Sequence, residues 1–387
     1  MRIIKLQEDI KIMKDMGLDG FRFSISWPRI LPRVKPFATL FHWDIPQSIQ
    51  DGDDFRDYAD VCFKEFGDRV KHWITLNEPW TYSIGGYAVG FLAPGRCSPG
   101  PGSLNCSGGN SGTEPYMVGH NLLLAHAAAG KLYKEKYQAS QQGVIGISMA
   151  CTWMVPFSIS KANIDATQRA LDFNIGWFLH PLIYGDYPEI MKSYVGNRLL
   201  KFTGNQSEML KQSLDFVGVN YYTSNYAADV PYSNNNLLPN YDTDSPERGG
   251  IPIGQQAAST WLYVYPRGIR DVLVYLKEKY NNPVIYITEN GVDEHNNETL
   301  TLQEALKDDM RIRYHRKHLS FIRKAIRKDG VDVRGYFAWS LLDSFEWARG
   351  FTLRFGFNYV DFKNGLKRYP KHSAIWFRTF LKGQGTI

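Results

Sequence analysis

The chain has 387 residues, a net charge of +6, 43% hydrophobic and 22% charged residues, the balance of a globular protein with a large core that needs no metal or disulfide staple to fold. Lys and Arg alternate with Glu and Asp along Lys131–Lys136 and Lys307–Arg316. This is a solvated-face pattern that argues against nucleic-acid binding, and no apolar run is long enough for a membrane span. Aromatic residues reach 14%, with 23 Tyr, 22 Phe and 10 Trp, which suits either a large aromatic core or a cleft lined with flat rings.

The first segment, Met1–Lys14, places Leu6, Ile10 and Met13 at helical spacing and reads as an amphipathic helix, not a signal peptide. Seven short β-branched or aromatic runs follow as strand candidates: Phe21–Ser26, Pro36–Phe41, His72–Leu76, Val144–Ala150, Asp215–Asn220, Val284–Glu289 and Arg334–Trp339. Between most of them lie helical patterns, at Phe55–Val70, Glu114–Tyr137, Asn163–Phe178, Pro266–Tyr280 and Gln303–Lys328. Such alternation predicts parallel strands with right-handed crossovers. The longest loops are expected at Gly90–Gly112 and Tyr226–Ser259. No linker divides the chain, so residues 1–387 are expected to form a single domain.

No strand leads into a glycine-rich phosphate turn, which argues against an open doubly wound sheet. Polar and aromatic residues instead stand directly after strand upon strand: His42-Trp43-Asp44, Asn77-Glu78, Asn220-Tyr221-Tyr222, Glu289-Asn290 and Trp339-Ser340. That is the layout of a (β/α)8 barrel, an α/β fold with its chemistry at the C-terminal mouth. Seven strands are found, not eight. In addition, only Trp27–Lys35 separates the first two, too short for a crossover helix. The expected barrel is therefore incomplete, lacking one strand and one early crossover helix, with unpaired edges. Gln47–Asp54 and Thr243–Gly250 also look short.

Glu78 and Glu289 each end a strand and each adjoin an Asn. Two carboxylates facing each other across a barrel mouth suit glycoside hydrolysis, one protonating the leaving oxygen and the other attacking the anomeric carbon or activating water, according to their separation. Their environments must then push the two pKa values apart, with Arg22 and a nearby Tyr hydroxyl expected to stabilise the ionised one. Taken singly, each Glu would more often be structural, His42 a core histidine, and Trp339 and Trp347 packing residues. The pair at equivalent strand ends outweighs that reading.

The motifs TLNEPW (Thr75–Trp80) and TENG (Thr288–Gly291) resemble the two catalytic motifs of glycoside hydrolase family 1. FHWD (Phe41–Asp44), RFSISWPRI (Arg22–Ile30), VNYYTS (Val219–Ser224), GYFAWSLLDSFEW (Gly335–Trp347) and RFGFNYVDF (Arg354–Phe362) resemble further blocks of the family in the same order. Gly95–Tyr116 is similar to plant β-glucosidases. The resemblance implies a retaining β-glucosidase with Glu78 as acid/base and Glu289 as nucleophile. It implies that Asn77 binds the sugar 2-hydroxyl, His42 the 3-hydroxyl region, and Glu346 and Trp347 the outer hydroxyls. Tyr222 would orient the nucleophile, Asn220 support the acid/base, Trp339 stack under the ring, Phe355 close that wall, and Trp261 line the aglycone entrance. Related thioglucosidases carry Gln at the acid/base position, so Glu78 points to O-glycosides. The family's usual first strand, with a sugar-binding Gln, has no counterpart here. A catalytically impaired remnant that binds a sugar or a partner, and a transglucosidase of the same fold, stay open as alternatives.

Of the four cysteines, Cys97 and Cys106 flank a Ser/Pro/Gly-rich loop that a disulfide could close, while Cys62 and Cys151 sit in apolar contexts that suit buried free thiols. Sequons occur at Asn105, Asn205 and Asn297. Together with the loop cysteines they point toward the secretory pathway, extracellular or vacuolar by the resemblance. No cofactor is implied. No zinc or EF-hand spacing occurs, and His120 and His126 are six apart on a helix, off a common face. The expected partner is a small β-glucoside; oligomeric state has no signature.

Overall fold

The computed structural model describes residues 2–24, 35–44, 52–99, 104, 106–230 and 243–384. The expected strand runs form one parallel sheet of seven strands: β1 (Gly20–Ser24), β2 (Lys35–Phe41), β3 (His72–Asn77), β4 (Val144–Ala150), β5 (Phe216–Asn220), β6 (Ile285–Glu289) and β7 (Val333–Tyr336), hydrogen-bonded in chain order. Parallel neighbours in sequence order are what successive right-handed crossovers produce. The main helices precede, separate and follow them: α1 (Arg2–Met16), α2 (Gly52–Phe66), α3 (Pro79–Ile84), α4 (Glu114–Leu132), α5 (Lys161–Leu171), α6 (Trp177–Tyr184), α7 (Arg267–Lys279), α8 (Asp309–Asp329) and α9 (His372–Leu381).

Residue alternation along the strands separates two packing layers. Trp73 of β3 turns outward onto Phe63 of α2, with ring centroids 5.0 Å apart, and Thr75 shares a 2.6 Å hydrogen bond with His126 on α4. Phe37, His72, Phe216, Tyr286 and Phe337 come from five strand positions and stack as one aromatic layer. Phe37 lies 4.0 Å from His72 and 4.6 Å from Phe337, and Phe216 lies 5.1 Å from Tyr286. Contacts between non-adjacent strands are possible only if the sheet curls, and side chains then fill the interior as in a (β/α)8 barrel.

The curl does not close. Among the described residues β1 pairs with β2 alone and β7 with β6 alone. A cavity of about 270 Å³ separates these two edges, lined by Phe21 and Arg22 on one side and Tyr336, Phe337 and Trp339 on the other, with Met13 and Met16 of α1 behind. This is the place where an eighth strand would sit. The connection from β1 to β2, where a crossover helix is expected to be missing, falls at residues 25–34, outside the described residues, and so does most of the short Gln47–Asp54 stretch.

Several expected boundaries shift for identifiable reasons. The helix expected at Asn163–Phe178 starts at Lys161, capped by the Ser160 hydroxyl, and passes through one π-helical turn at Asp172–Gly176 to continue as α6. A similar turn at Tyr133–Tyr137 extends α4. The helix expected at Gln303–Lys328 is broken: a short turn Leu302–Ala305 ends before Asp308, whose carboxylate accepts from the Ser373 backbone N–H and from Arg311. Strand β7 ends at Tyr336, not Trp339, because it has a partner on one side only; Phe337 and Trp339 still donate backbone bonds to Ile287 and Asn290. The loop expected at Tyr226–Ser259 holds short strands instead: Ser224–Ala228 pairs with Trp153–Pro156 and with Thr243–Ser245, and Glu247–Arg248 pairs with Ile251–Pro252.

Candidate active site

Both carboxylates sit where a strand loses its regular register. The β3–β4 ladder is irregular between Ile74 and Asn77, and the β5–β6 ladder between Ile287 and Glu289. Such irregularities bend a strand and re-aim its last side chains. Glu78 then takes a left-handed backbone, φ 44° and ψ 61°, at the start of α3, with Pro79 as the first helical residue. A non-glycine residue in that region is uncommon and marks a functional constraint. It lets the consecutive side chains of Asn77 and Glu78 serve one site, which regular alternation would forbid.

One buried network joins the pair. Arg22 on β1 donates from Nη1 to Glu289 Oε1 at 2.6 Å and from Nη2 to Asn77 Oδ1 at 2.6 Å. This fixes the Asn77 amide: its oxygen also accepts from Asn220 Nδ2 at 3.0 Å, so its nitrogen must donate to His42 Nε2, 3.1 Å away. His42 is therefore neutral with its proton on Nδ1. Burial, aided by the Arg22 charge, lowers its pKa to about 3, in keeping with that assignment. Asn220 Nδ2 donates to Glu78 Oε1 at 2.8 Å, while its oxygen accepts from Thr288 Oγ1 at 2.6 Å. The Tyr222 hydroxyl donates to the second oxygen of Glu289 at 2.6 Å.

The two carboxylates are differentiated by these partners. Glu289 has a guanidinium on one oxygen and a phenol on the other, a set that holds the ionised form. Among the described residues Glu78 has only neutral donors, Asn220 and the Thr81 hydroxyl at 2.9 Å. Burial first, and the negative charge of Glu289 second, push its pKa up to about 7. A protonated acid beside an ionised carboxylate is the division of labour that glycoside cleavage requires.

The remaining expected residues ring this centre. Trp339 and Trp347 lie 6.1 and 5.5 Å from the His42 ring, and Trp347 is 38% exposed. Glu346 is buried, its carboxyl pushed up to about 7 chiefly by burial, with the Ser344 hydroxyl donating to it at 2.9 Å. Trp261 is half-exposed and stands edge-on to Tyr222 at 5.9 Å. Phe355 is buried at 5% and packs edge-on against Tyr222 with Leu262 and Val292, backing that ring more than forming an open wall. Thr81, Thr288 and Trp43 were not expected at the site. Trp43 has a left-handed backbone, φ 71°, donates from its indole to the Asn77 carbonyl at 2.9 Å and packs tilted against Trp347 with ring centroids 4.5 Å apart. Thr81 stands three residues after the helix start, a spacing that could have flagged it.

Cys97 and Cys106 form a disulfide away from the site, and Cys62 and Cys151 are buried free thiols, the latter with its backbone N–H on the Asn220 carbonyl at 2.9 Å. Asn205 and Asn297 are exposed; Asn105 lies outside the described residues. His120 and His126 part company, bonding Tyr187 and Thr75. No helix among the described residues is long and apolar enough to cross a membrane.

Residues 3–35 and 33–386 match glycosyl hydrolase family 1. Beta-glucosidase 12 of Oryza sativa is 56% identical over 416 aligned positions, covering 97% of this chain and 81% of the relative. The raucaffricine-O-beta-D-glucosidase of Rauvolfia serpentina is 49% identical, covering 96% and 79%. Among solved structures, a mutant of the rice β-glucosidase Os3BGlu6 in a covalent complex with Glc superposes with a TM-score of 0.92 at 46% identity, over 96% of this chain and 86% of that one. A β-glucosidase of the fungus Humicola insolens in complex with glucose gives 0.91 at 37% identity, over 99% and 88%. The family match divides at residues 33–35, where β1 passes to β2, and the rice alignment is longer than this chain, so the relative has residues for which this chain has none.

Proposed function

As the chain belongs to glycosyl hydrolase family 1 and is similar to plant β-glucosidases at 49% and 56% identity, we propose that Glu289 and Glu78 perform retaining hydrolysis of terminal β-D-glucosyl O-glycosides. Glu289 attacks the anomeric carbon as Glu78 gives its proton to the leaving glycosidic oxygen. The C–O bond to the aglycone breaks and an ester to Glu289 forms. Glu78, now ionised, takes a proton from water; that water attacks the same carbon, releases Glu289 and leaves β-glucose. The observation that carries this reading is the unequal environment of the two carboxyls, one paired with Arg22 and Tyr222, the other raised to about 7 among neutral groups.

The residues around the pair suit a pyranose ring. Asn77 has its amide held for a 2-hydroxyl contact that strengthens as positive charge develops at the ring. Neutral His42 and the carboxyl of Glu346 offer hydrogen bonds to the hydroxyl rim, and Trp339 and Trp347 offer flat faces to its C–H surface. The disulfide and the exposed sequons at Asn205 and Asn297 support a secretory compartment, extracellular or vacuolar.

A 2-deoxy-2-fluoro-β-glucosyl fluoride should form a stable ester on Glu289, seen by peptide mass mapping, and the chain should release the phenol from an aryl β-glucoside. A purified, folded chain that neither labels nor turns over would refute hydrolysis and favour a sugar-binding remnant, for which the open edge between β1 and β7 is the structural motive.

A further inference from the structure

Beneath the sugar-facing residues runs a chain of six mostly buried charges of alternating sign. Arg354 meets Asp343 at 2.5 Å; Asp343 meets Lys371 at 3.1 Å; Lys371 approaches Glu294 at 3.9 Å; Glu294 meets Arg311 at 3.0 Å; Arg311 meets Asp308 at 2.5 Å. Side-chain exposure is 7% or less for all but Glu294, at 29%. Three positive and three negative groups leave no net charge.

Stability alone does not account for this construction. Desolvating ion pairs costs several kcal/mol per ion, and apolar residues of similar volume commonly hold a core as well or better. What ions add is directional geometry, and the elements tied together here share one destination. Glu294 lies five residues beyond Glu289 on the segment leaving β6. Asp343 lies between Trp339 and Glu346 on the segment leaving β7. Arg354 pairs through its short strand with Glu294, and Lys371, Asp308 and Arg311 anchor the starts of α9 and α8.

Asp343 is the junction. Beyond its two cations, it accepts from the backbone N–H groups of Gly356 and Val360 at 3.0 and 3.2 Å, and its own N–H donates to the Asn358 carbonyl at 3.1 Å. Its four donors come from the strand Leu353–Arg354, the loop residue Gly356, the strand Asn358–Asp361 and the start of α9. Gly356 has no room for a side chain: a Cβ there would lie 2.2 Å from the Asp343 nitrogen. Arg354 is clamped in turn, stacked 4.0 Å over Tyr359 and bonded to Asn296 and the Val360 carbonyl.

We propose that this charge ladder, through Asp343 as positioning residue, sets the segment carrying Trp339, Glu346 and Trp347 at its working distance from Glu289, and so controls sugar affinity. The proposal rests on the glycosidase reading of the site. Its test uses the full chain with Asp343→Asn and with the double variant Asp343→Asn, Lys371→Met, which restores charge balance. Three quantities are read: thermal midpoint, KM and kcat on an aryl β-glucoside, and the calorimetric Kd of 1-deoxynojirimycin, a glucose-shaped imino-sugar. Asp343→Asn should lower the midpoint and raise KM and Kd about tenfold, a fraction of what an ångström of misplacement costs, with kcat falling less than threefold. The double variant should recover most of the midpoint while KM and Kd stay raised. Recovery of KM and Kd together with the midpoint, or normal binding in either variant, overturns the proposal. A parent chain that binds the imino-sugar yet turns nothing over refutes hydrolysis alone, and the Kd comparison still decides this one.

Discussion

Replacing Glu78 by Gln separates chemistry from electrostatics at one atom. In the parent, burial and the charge of Glu289 raise the Glu78 carboxyl from 4.5 to about 7, which corresponds to about 3 kcal/mol of preference for the protonated form. Activity on substrates with poor leaving groups should therefore fall as pH rises through about 7, because the acid is lost. General acid catalysis contributes roughly 10²- to 10⁴-fold, so Glu78→Gln should cost that much in kcat/KM on such substrates and abolish the alkaline limb. With dinitrophenol as leaving group no acid is needed; the ester to Glu289 should form, hydrolyse slowly, and be released by azide as β-glucosyl azide. The same substitution has a stability signature. A carboxyl whose folded pKa lies above its unfolded value binds its proton more tightly when folded, so its contribution is complete below 4.5 and is lost as pH rises to about 7. Glu78→Gln should thus match the parent near pH 4 and exceed it by up to about 3 kcal/mol above pH 8, measured by denaturant unfolding at both pH values. Glu346, also raised to about 7 by burial, is the internal competitor. An alkaline limb that survives Glu78→Gln but moves with Glu346→Gln refutes the assignment of the acid.

Arg22→Met should leave Glu289 buried without its cation, at a cost of about 3–5 kcal/mol when one partner of a buried pair is removed; kcat should drop at least a hundredfold while far-UV circular dichroism is retained. Reducing the Cys97–Cys106 bond, or replacing both by Ser, opens a loop with a sequence separation of 9, which loop entropy values at about 2–3 kcal/mol; a thermal midpoint unaffected by reductant would contradict this. Gly130→Ala would put a Cβ 2.4 Å from the Ser213 carbonyl oxygen where α4 meets the segment before β5, and should destabilise by about 1–3 kcal/mol in urea titration without altering KM.

The sequence alone carried more of the site than of its architecture. Asn77-Glu78, Asn220 and Glu289 were legible because each directly ends a short β-branched or aromatic run, and strand ends of a parallel barrel meet at one mouth. The number of strands was legible too, since seven runs could be counted and nine residues cannot hold a crossover helix. Tertiary structure decided everything that depends on contacts distant along the chain. The left-handed backbone at Glu78 exists only in the folded chain, and the amide orientation of Asn77, and with it the tautomer of His42, follows from Arg22, 55 residues before Asn77 and 267 before Glu289. Apart from Asp308 and Arg311, which stand at i, i+3, the ladder from Arg354 to Asp308 has no sequence signature, because ion pairs formed across separate loops leave no periodic spacing. Local pattern fixes which side chains reach the end of a strand; only the folded chain decides which charge each of them meets there, and thereby which carboxyl holds a proton and which holds a charge.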